Sequence, residues 1–340
     1  MVNDYMVIGV VMSIFKILPN LFRVEVPLPG NPLKAVNSYV IKAEKPLIID
    51  TGFNMDVCYA KLLEALNEVG VNFKNADYFA THLHADHIGL TGRLTSMVYM
   101  SSVDAEIISK SRSLEHWLEA LEYFKMNGFP EEDAEKILRV HPGIRYSSIV
   151  EFNPVKDGET LNYGEYSLKT VLTPGHTPGH MCLYDEDRKI LFSGDHILFD
   201  ITPNISYWKG FESLEEYLKS LDKIYELEVN ITLPGHRGFH GDVKSRIVEI
   251  KKHHEKRLRE VVESLRSGVK NAWQIAPYIT WDIKYSRWEE IPTSQRWFII
   301  GETIAHLHYL EKKGVVAREI ENGAIRWSLK HSLNYENKKS

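Results

Sequence analysis

The sequence has few of the features that mark secreted or membrane-spanning proteins. It contains only two cysteines, Cys58 and Cys182, too few for a disulfide framework, so we expect a reduced, cytosolic setting. The apolar run at residues 6–15 is too short to cross a bilayer, and no basic residue precedes it as in a signal peptide. No membrane partner is predicted. Met12 is an alternative start of the native chain, which would make residues 1–11 an extension.

The sequence also lacks the motifs of two common enzyme classes. It has no glycine-rich phosphate loop, which argues against a nucleotide-binding site of that type. Ser193 stands in Phe192-Ser193-Gly194, which is not the context of a nucleophile elbow, so a serine hydrolase is not indicated. No internal repeat or low-complexity tract occurs. Neither of these enzyme classes is therefore indicated.

Charge is distributed unevenly along the 340 residues. The net charge is −5, but residues 244–340 carry 19 Lys and Arg against 12 Asp and Glu, a net of +7. Residues 1–243 carry 22 against 34, a net of −12. Since the chain is also longer than a typical single domain, we predict a catalytic domain over residues 1–243 and a smaller domain over residues 244–340.

Short apolar segments and amphipathic segments alternate in the first domain and predict an α/β (α+β) fold. The predicted strands are residues 21–26, 35–41, 46–50, 77–80, 98–100, 166–172, 180–184, 189–193 and 229–233, and the main predicted helices are residues 56–68 and 214–227. Residues 104–145 interrupt this pattern with helical spacing. They predict an inserted helical pair, interpreted either as a scaffold hairpin or, as we favour, as a lid over the substrate.

The segment Thr81-His82-Leu83-His84-Ala85-Asp86-His87 places four metal-ligand side chains within six residues. It follows a predicted strand, and His82 and His84 alternate, so in an extended segment they point the same way. Imidazole and carboxylate are ligands that borderline divalent metals prefer. A charged cluster buried for structural reasons alone would cost several kcal/mol without compensation. The spacing therefore predicts two metal ions at the end of this strand.

Three more strand ends carry residues of the same kind. His176 follows one strand within Thr-Pro-Gly-His, Asp195 follows another within Ser-Gly-Asp-His, and His236 follows a third within Pro-Gly-His. A glycine before each candidate ligand allows a sharp turn that presents the side chain. Asp50 ends an earlier strand. Their shared position, in this order, indicates one site built from several loops.

With Asp50, the HxHxDH motif at residues 82–87, His176, Asp195 and His236, residues 20–243 resemble the metallo-β-lactamase superfamily. The resemblance implies an αββα sandwich with the metals at one edge. It implies that His82, His84 and His176 bind one ion, that Asp86, His87 and His236 bind the other, and that Asp195 bridges both. Asp50 is expected to support the metal loop by hydrogen bonding.

The branch of the family is indicated by Asp195. The β-lactamases that name the family have cysteine or serine there, and a bridging aspartate resembles the glyoxalase II, lactonase and nuclease branches. We expect zinc, with iron or manganese as alternatives, and a bridging hydroxide as nucleophile. Asp86 and Asp195 are the predicted catalytic residues. His196 and Tyr207 are predicted to contact substrate. His180 is predicted to be a strand residue or a support of the metal ligands, and not a ligand itself.

The C-terminal segment reads as three helices followed by a hairpin with an Asn322-Gly323 turn. This order resembles the winged-helix appendage found after some metallo-β-lactamase domains, including a β-lactamase-like mitochondrial endoribonuclease. Its third helix offers an apolar and acidic outer face, which indicates docking against the catalytic domain or a second copy of the chain. Basic residues crowd its first helix: Lys251, Lys252, Lys256, Arg257 and Arg259.

Three functions follow, in order of preference. The first is a dinuclear metallohydrolase for a small ester-like substrate, a thioester before a lactone. The second is a metal-dependent ribonuclease that holds RNA through the basic C-terminal domain. The third is a non-catalytic metal-binding protein, which the complete ligand set disfavours. A small molecule is thus the expected partner and nucleic acid the second choice.

Overall fold

The computed structural model of the chain describes residues 13–146, 150–238 and 241–330. The predicted extension at residues 1–11 lies outside these ranges. The first sheet contains strands β1 (Ile14–Leu18), β2 (Leu21–Pro27), β3 (Ala35–Ile41), β4 (Leu47–Ile49), β5 (Asp77–Phe79), β6 (Met97–Ser101) and β7 (Glu151–Val155). The second contains β8 (Thr160–Tyr163), β9 (Tyr166–Leu172), β10 (Met181–Asp185), β11 (Ile190–Gly194) and β12 (Ile231–Pro234).

The helices and the C-terminal hairpin surround these sheets. The helices are α1 (Asp56–Val69), α2 (Ala85–Ile88), α3 (Thr91–Leu94), α4 (Ser102–Ser111), α5 (Leu114–Met126), α6 (Glu131–Val140), α7 (Pro142–Arg145), α8 (Ser213–Tyr225), α9 (Val243–Leu265), α10 (Ala272–Ile275) and α11 (Thr293–Lys312). Strands β13 (Val316–Glu321) and β14 (Ala324–Leu329) form the hairpin. None of the helices in the described ranges is long and apolar enough to cross a membrane.

The two sheets pack face to face between two layers of helices. The strand order is β1 to β7 in sequence in the first sheet and β12-β11-β10-β9-β8 in the second. Alternation along β3 sends Tyr39 toward the second sheet, where it meets Phe192 edge-on, and Val40 toward α1. On the outer side of the second sheet, Leu191 packs with residues of α8. The predicted αββα sandwich is confirmed.

Several local predictions differ from the structure. Helix α2 begins at Ala85, so Asp86 and His87 lie on its first turn and not on a loop. The insert contains four helical segments, α4 to α7, where a pair was predicted. Strands β7 and β8 were not predicted, because both are short, partly exposed edge strands without the apolar run of a buried strand.

The insert shares a hydrophobic core with the C-terminal elements. Phe124 of α5 stacks on Trp297 of α11 with ring centroids 3.6 Å apart, and both are buried. Nearby, the Trp327 Nε1–H donates to Asn127 Oδ1 at 3.2 Å. These contacts attach the insert to the C-terminal segment along a packed surface. The lid role and the domain boundary at residue 243 stay predictions.

The C-terminal elements follow the predicted order of helices and hairpin. Asn322 and Gly323 both adopt positive φ, 49° and 78°, as a tight two-residue hairpin turn requires. The face of α11 that was predicted to dock is buried, because Ile299, Glu302 and His306 are all at most 5% exposed. Helix α11 packs on α8 and α9 of the same chain. The winged-helix assignment and a homodimer stay predictions.

The shared core generates a stability prediction. Phe124→Ala removes a buried ring at the junction of insert and C-terminal segment, and should lower the free energy of unfolding by about 3–5 kcal/mol. Leu118→Ala on the same helix is the control, because Leu118 is 49% exposed and its loss should change stability by only about 0.5 kcal/mol. Urea denaturation measures both. Equal effects of the two substitutions would contradict the shared core.

Candidate metal centre

Five segments that follow strands bring polar side chains to one edge of the sandwich. Asp50 follows β4, residues 81–87 follow β5, His176 lies between β9 and β10, Asp195 follows β11, and His236 follows β12. The ends of neighbouring parallel strands meet at the same edge, which is why segments distant in sequence converge here. All seven predicted ligands are brought together.

His82, His84 and His176 form the first group, here called the histidine cluster. His84 Nδ1 lies 3.0 Å from His82 Nε2 and 2.9 Å from His176 Nε2. The His176 Nδ1–H donates to the Asn204 carbonyl at 2.7 Å, so Nε2 carries a lone pair. The Thr81 hydroxyl donates its proton to Asp50, so its oxygen accepts from the His82 Nδ1–H at 3.0 Å. His82 Nε2 therefore also carries a lone pair.

Asp86, His87 and His236 form the second group, here called the mixed cluster. His87 Nε2 and His236 Nε2 lie 3.2 Å apart, and Asp86 Oδ2 lies 3.4 Å from His236 Nε2. Each imidazole is oriented from behind. The His87 Nδ1–H donates to Asp50 Oδ2 at 2.8 Å, and the His236 Nδ1–H donates to the Ala35 carbonyl at 2.7 Å.

The Asp195 carboxylate lies between the two clusters. Its Oδ2 is 3.4 Å from His236 Nε2 and 3.7 Å from His176 Nε2, and its Oδ1 is 3.6 Å from His87 Nε2. Asp195 Oδ1 is buried without a hydrogen-bond donor. An unpartnered buried carboxylate oxygen is costly unless a cation compensates it. This oxygen, together with the converging lone pairs of the histidine cluster and the carboxylates beside the mixed cluster, fits a divalent ion bound in each cluster.

The two clusters differ in protonation. Burial, reinforced by neighbouring imidazoles, lowers the pKa of His84 to about 3 and that of His82 well below its usual value. In the mixed cluster, burial opposes protonation but the carboxylates outweigh it. Asp195 and Asp86 raise the pKa of His236 to about 10, and Asp50 with Asp195 raises the pKa of His87. Without metal, the mixed cluster therefore carries imidazolium charge that balances its carboxylates.

Asp50 supports the metal loop and has both carboxylate oxygens engaged. Oδ1 accepts from the Thr81 amide at 2.9 Å, and Oδ2 accepts from the Thr81 hydroxyl at 2.9 Å and from His87. Asp50 adopts φ 60°, a left-handed conformation that costs about 1–3 kcal/mol for a residue with a side chain. The three hydrogen bonds hold this conformation and occupy both oxygens, as the predicted supporting role of Asp50 requires.

Asp104 is a buried support that the sequence analysis missed. Its Oδ2 accepts from the Leu83 amide at 2.9 Å and the Thr177 hydroxyl at 2.7 Å, and its Oδ1 accepts from the Gly179 amide at 2.7 Å. It therefore ties the loop of His82 and His84 to the loop of His176. Burial raises its pKa to about 6, against the lowering effect of these hydrogen bonds. Its position near a helix start gave no signal of this role.

His180 and Gly194 form the wall behind Asp195. His180 Nε2 accepts from the Asp195 amide at 3.2 Å, and its Nδ1 lies 2.8 Å from Thr173 Oγ1. Gly194 adopts φ 47°, and a Cβ there would lie 2.8 Å from Thr81 Cβ and from His180 Nε2. Glycine is thus required where the chain turns to present Asp195.

The two predicted substrate residues lie away from the ligand atoms. His196 is completely buried against Tyr217, with ring centroids 5.2 Å apart. A substrate that enters from solvent therefore does not reach it in this structure. Tyr207 stacks on Tyr123 at 4.5 Å, within an aromatic group that joins the insert to α11. The neighbouring Trp208 lies nearer the clusters, stacked 6.5 Å from His84. Trp208 is therefore the aromatic residue that borders the centre.

Comparisons with known proteins agree with this fold. Residues 31–236, more than half of the chain, match the family described as "Metallo-beta-lactamase superfamily", and residues 258–330 match "Metallo-beta-lactamase-like, C-terminal domain". A solved metallo-beta-lactamase family protein from Thermus thermophilus is similar, with 30% identity and a TM-score of 0.78. The match covers 93% of this chain and all of that one.

Curated relatives include two named thioesterases. The Caenorhabditis elegans "Beta-lactamase-like protein 2 homolog" is 28% identical over 236 residues, 69% of this chain and 66% of that protein. The human "Acyl-coenzyme A thioesterase MBLAC2" is 27% identical over 211 residues, 57% and 70%. An Aspergillus fumigatus "Atrochrysone carboxyl ACP thioesterase" is 27% identical over 255 residues, 73% and 66%. The chain thus spans about two thirds of the length of these relatives.

The protonation difference predicts how metal binding depends on pH. His87 and His236 must each lose a proton from Nε2 before binding an ion, whereas the histidine cluster is already neutral. A raised pKa keeps these protons bound until the pH exceeds it. The association constant for the ion in the mixed cluster should therefore rise by up to about tenfold per proton released for each pH unit above neutrality. Titration calorimetry of the metal-free protein in buffers of different ionisation enthalpy should detect proton release for one ion only. Equal release for both ions would contradict the assignment.

Asp104→Asn tests the missed support. Both Asp104 oxygens accept from buried donors, so an amide must turn its NH₂ toward one of them. We expect the free energy of unfolding to fall by about 1–3 kcal/mol and metal affinity to fall by about 10–100-fold. Asp242→Asn is the control, because Asp242 caps α9 on the surface and asparagine caps equally well. Chemical denaturation and chelator competition measure the two effects; unchanged metal binding would remove Asp104 from the site.

Proposed function

Because this chain belongs to the metallo-beta-lactamase superfamily and is a metal-dependent hydrolase, we propose that it hydrolyses acyl thioesters with two bound divalent ions. The observation that carries the proposal is the Asp195 carboxylate, which lies within 3.7 Å of imidazole nitrogens of both clusters. One carboxylate in that position suits two adjacent cations. Zinc is the expected metal, with iron or manganese as alternatives.

The metals would supply the nucleophile and the electrophilic activation. Bound divalent ions lower the pKa of a coordinated water to about 7 and polarise an acyl carbonyl. The histidine cluster and the mixed cluster would each hold one ion, with Asp195 shared. The Asp86 side chain is 13% exposed, against 9% for Asp195, so it is the more accessible of the two carboxylates. We assign it to orient the attacking water by accepting a hydrogen bond.

The hydrogen bonding of the imidazoles supports a thioester as substrate. His82, His87, His176 and His236 each use one nitrogen in a cluster, and the other contacts a hydroxyl, carboxylate or carbonyl. These four rings are therefore committed and do not protonate a leaving group. A thiol, with a pKa near 8.5, leaves as an anion far more easily than an alcohol. Two relatives named as thioesterases support the same substrate class.

The surroundings of the centre support a substrate with an apolar part. Trp208 stacks beside His84 and is partly buried, so it offers an aromatic surface at the edge of the histidine cluster. Tyr207, the residue before Trp208, stacks on Tyr123 of the insert. An acyl chain gains by covering such surface. A lactone is the second choice, because its apolar ring would meet the same wall.

The ribonuclease alternative gains little from the basic helix. Of the five basic residues predicted to contact RNA, Arg257 is 7% exposed and paired with Glu302. Lys251 pairs with Asp222, and Lys256 lies 3.6 Å from Glu260. Paired and buried cations bind phosphates poorly. The small-ester hypothesis is therefore preferred.

Activity measurements on one preparation test the proposal. Acyl-coenzyme A esters should be hydrolysed faster than lactones or single-stranded RNA, and chelator should abolish the activity until metal is restored. Asp195→Asn should lower kcat/KM by more than ~100-fold, since even residues behind a metal ligand contribute about 10–100-fold. The exposed Asp187→Asn is the matched control and should be unchanged. Chelator-resistant hydrolysis, or faster cleavage of RNA, would refute the proposal.

A further inference from the structure

A buried polar group lies between α9 and α11, apart from the metal centre. It contains His254 and Arg257 of α9 and Glu302 and His306 of α11, all at most 7% exposed. The Arg257 guanidinium donates to Glu302 Oε1, forming a buried ion pair. Removing two charges from water costs several kcal/mol, and an apolar pair is often as stable. The reaction proposed above assigns no role to these four residues.

His254, Glu302 and His306 have the spacing of metal ligands, but their hydrogen bonds argue against a third ion. Both Glu302 oxygens are engaged, Oε1 by Arg257 and Oε2 by the Asn204 amide at 2.7 Å. The His306 Nδ1–H donates to the Glu302 carbonyl, so His306 Nε2 can accept from His254 Nδ1 at 3.2 Å. An added cation would also meet the Arg257 guanidinium. The group is a hydrogen-bonded network.

This network continues to a predicted metal ligand. The Asn204 side-chain amide donates to Glu302 Oε2 at 2.7 Å and to the Phe298 carbonyl at 3.2 Å. Its backbone carbonyl accepts from His176 Nδ1–H at 2.7 Å. Two acceptors on α11 therefore fix the residue that orients the His176 ring.

The segment around Asn204 is held to α11 at further points. The Tyr207 amide donates to the Gly301 carbonyl at 3.0 Å. Ser206 lies so close to Gly301 that a Cβ there would be 2.1 Å from the Ser206 hydroxyl oxygen. Trp208, which borders the centre, follows directly. The segment between Asp195 and α8 is thus shaped on the C-terminal helix.

We infer that Glu302 is a positioning residue for the metal centre, and that the C-terminal helix sets the metal affinity of the histidine cluster through Asn204 and His176. A ring held by a carbonyl in one orientation loses less entropy on binding metal, and its Nε2 is a stronger donor. The inference rests on the proposed ion at His82, His84 and His176, and is independent of the substrate. Among the described residues, the imidazoles of the mixed cluster are oriented from other elements, His236 by the Ala35 carbonyl and His87 by Asp50.

The experiment measures the affinity of each of the two ions by chelator competition, with the visible spectrum of the cobalt-loaded protein as second readout. Glu302→Gln cannot accept from both Arg257 and Asn204, and Asn204→Ala removes the linking amide. Each substitution should weaken the affinity for one ion by about 10–100-fold and leave the affinity for the other ion within about twofold of its original value. The weakened ion should be the one that His176→Ala removes. Asn204→Ala also serves if Glu302→Gln fails to fold.

His254→Phe is the matched control, because it disturbs the same buried group without touching Asn204. It should lower the thermal midpoint of the metal-free protein while both metal affinities and the cobalt spectrum stay unchanged. Unchanged affinities in Asn204→Ala, or an equal loss of both ions, would overturn the inference. A third ion in the unmodified protein that His254→Phe removes would also overturn it. If the metal affinities change as expected but the unmodified protein does not hydrolyse thioesters, only the proposed function is contradicted.

Discussion

The desolvation of ligand side chains is the constraint on which the rest of this structure depends. Five imidazoles and two carboxylates converge at one sheet edge, and five of the seven residues are at most 6% exposed. Such a group is stable only if every polar atom finds a partner. Four of the five imidazoles find a partner for the rear nitrogen in protein groups, as His236 does in Ala35. The front nitrogens face one another, and Asp195 Oδ1 has no hydrogen-bond donor, an arrangement that fits bound cations.

The supports behind the ligands explain why the surrounding chain is shaped as it is. Asp50 is held at positive φ so that one carboxylate serves both Thr81 and His87. Asp104 connects the loop of Leu83 with the loop of Thr177, and its contact with Thr177 spans 73 residues of sequence. Each support accepts hydrogen bonds through both oxygens, so neither is replaceable by a neutral isostere without leaving a donor unpaired. The geometry of the ligands is thus determined largely by residues that never meet a substrate.

The ligands could be predicted from sequence because their signal is local. The four residues at 82–87 and the glycines before His176, Asp195 and His236 are short patterns at strand ends, and the short apolar runs before them predict the strands themselves. The supports were not predictable in the same way. Asp104 and Glu302 sit on helices with no local feature to distinguish them, and their partners are chosen by tertiary packing. For the same reason Arg257 was read as part of a basic surface, although it is buried.

The common core of the insert and the C-terminal segment has a consequence for the order of folding during synthesis. Phe124 leaves the ribosome long before its partner Trp297, and domains generally fold as they emerge. The aromatic surface of the insert therefore stays uncovered until the C-terminal segment is synthesised, although all strands of the sandwich have been made by then. All seven ligands have been synthesised by residue 236, but the helix that fixes Asn204 has not. The nascent chain thus passes through a stage in which it has every ligand and lacks the helix that aligns one of them.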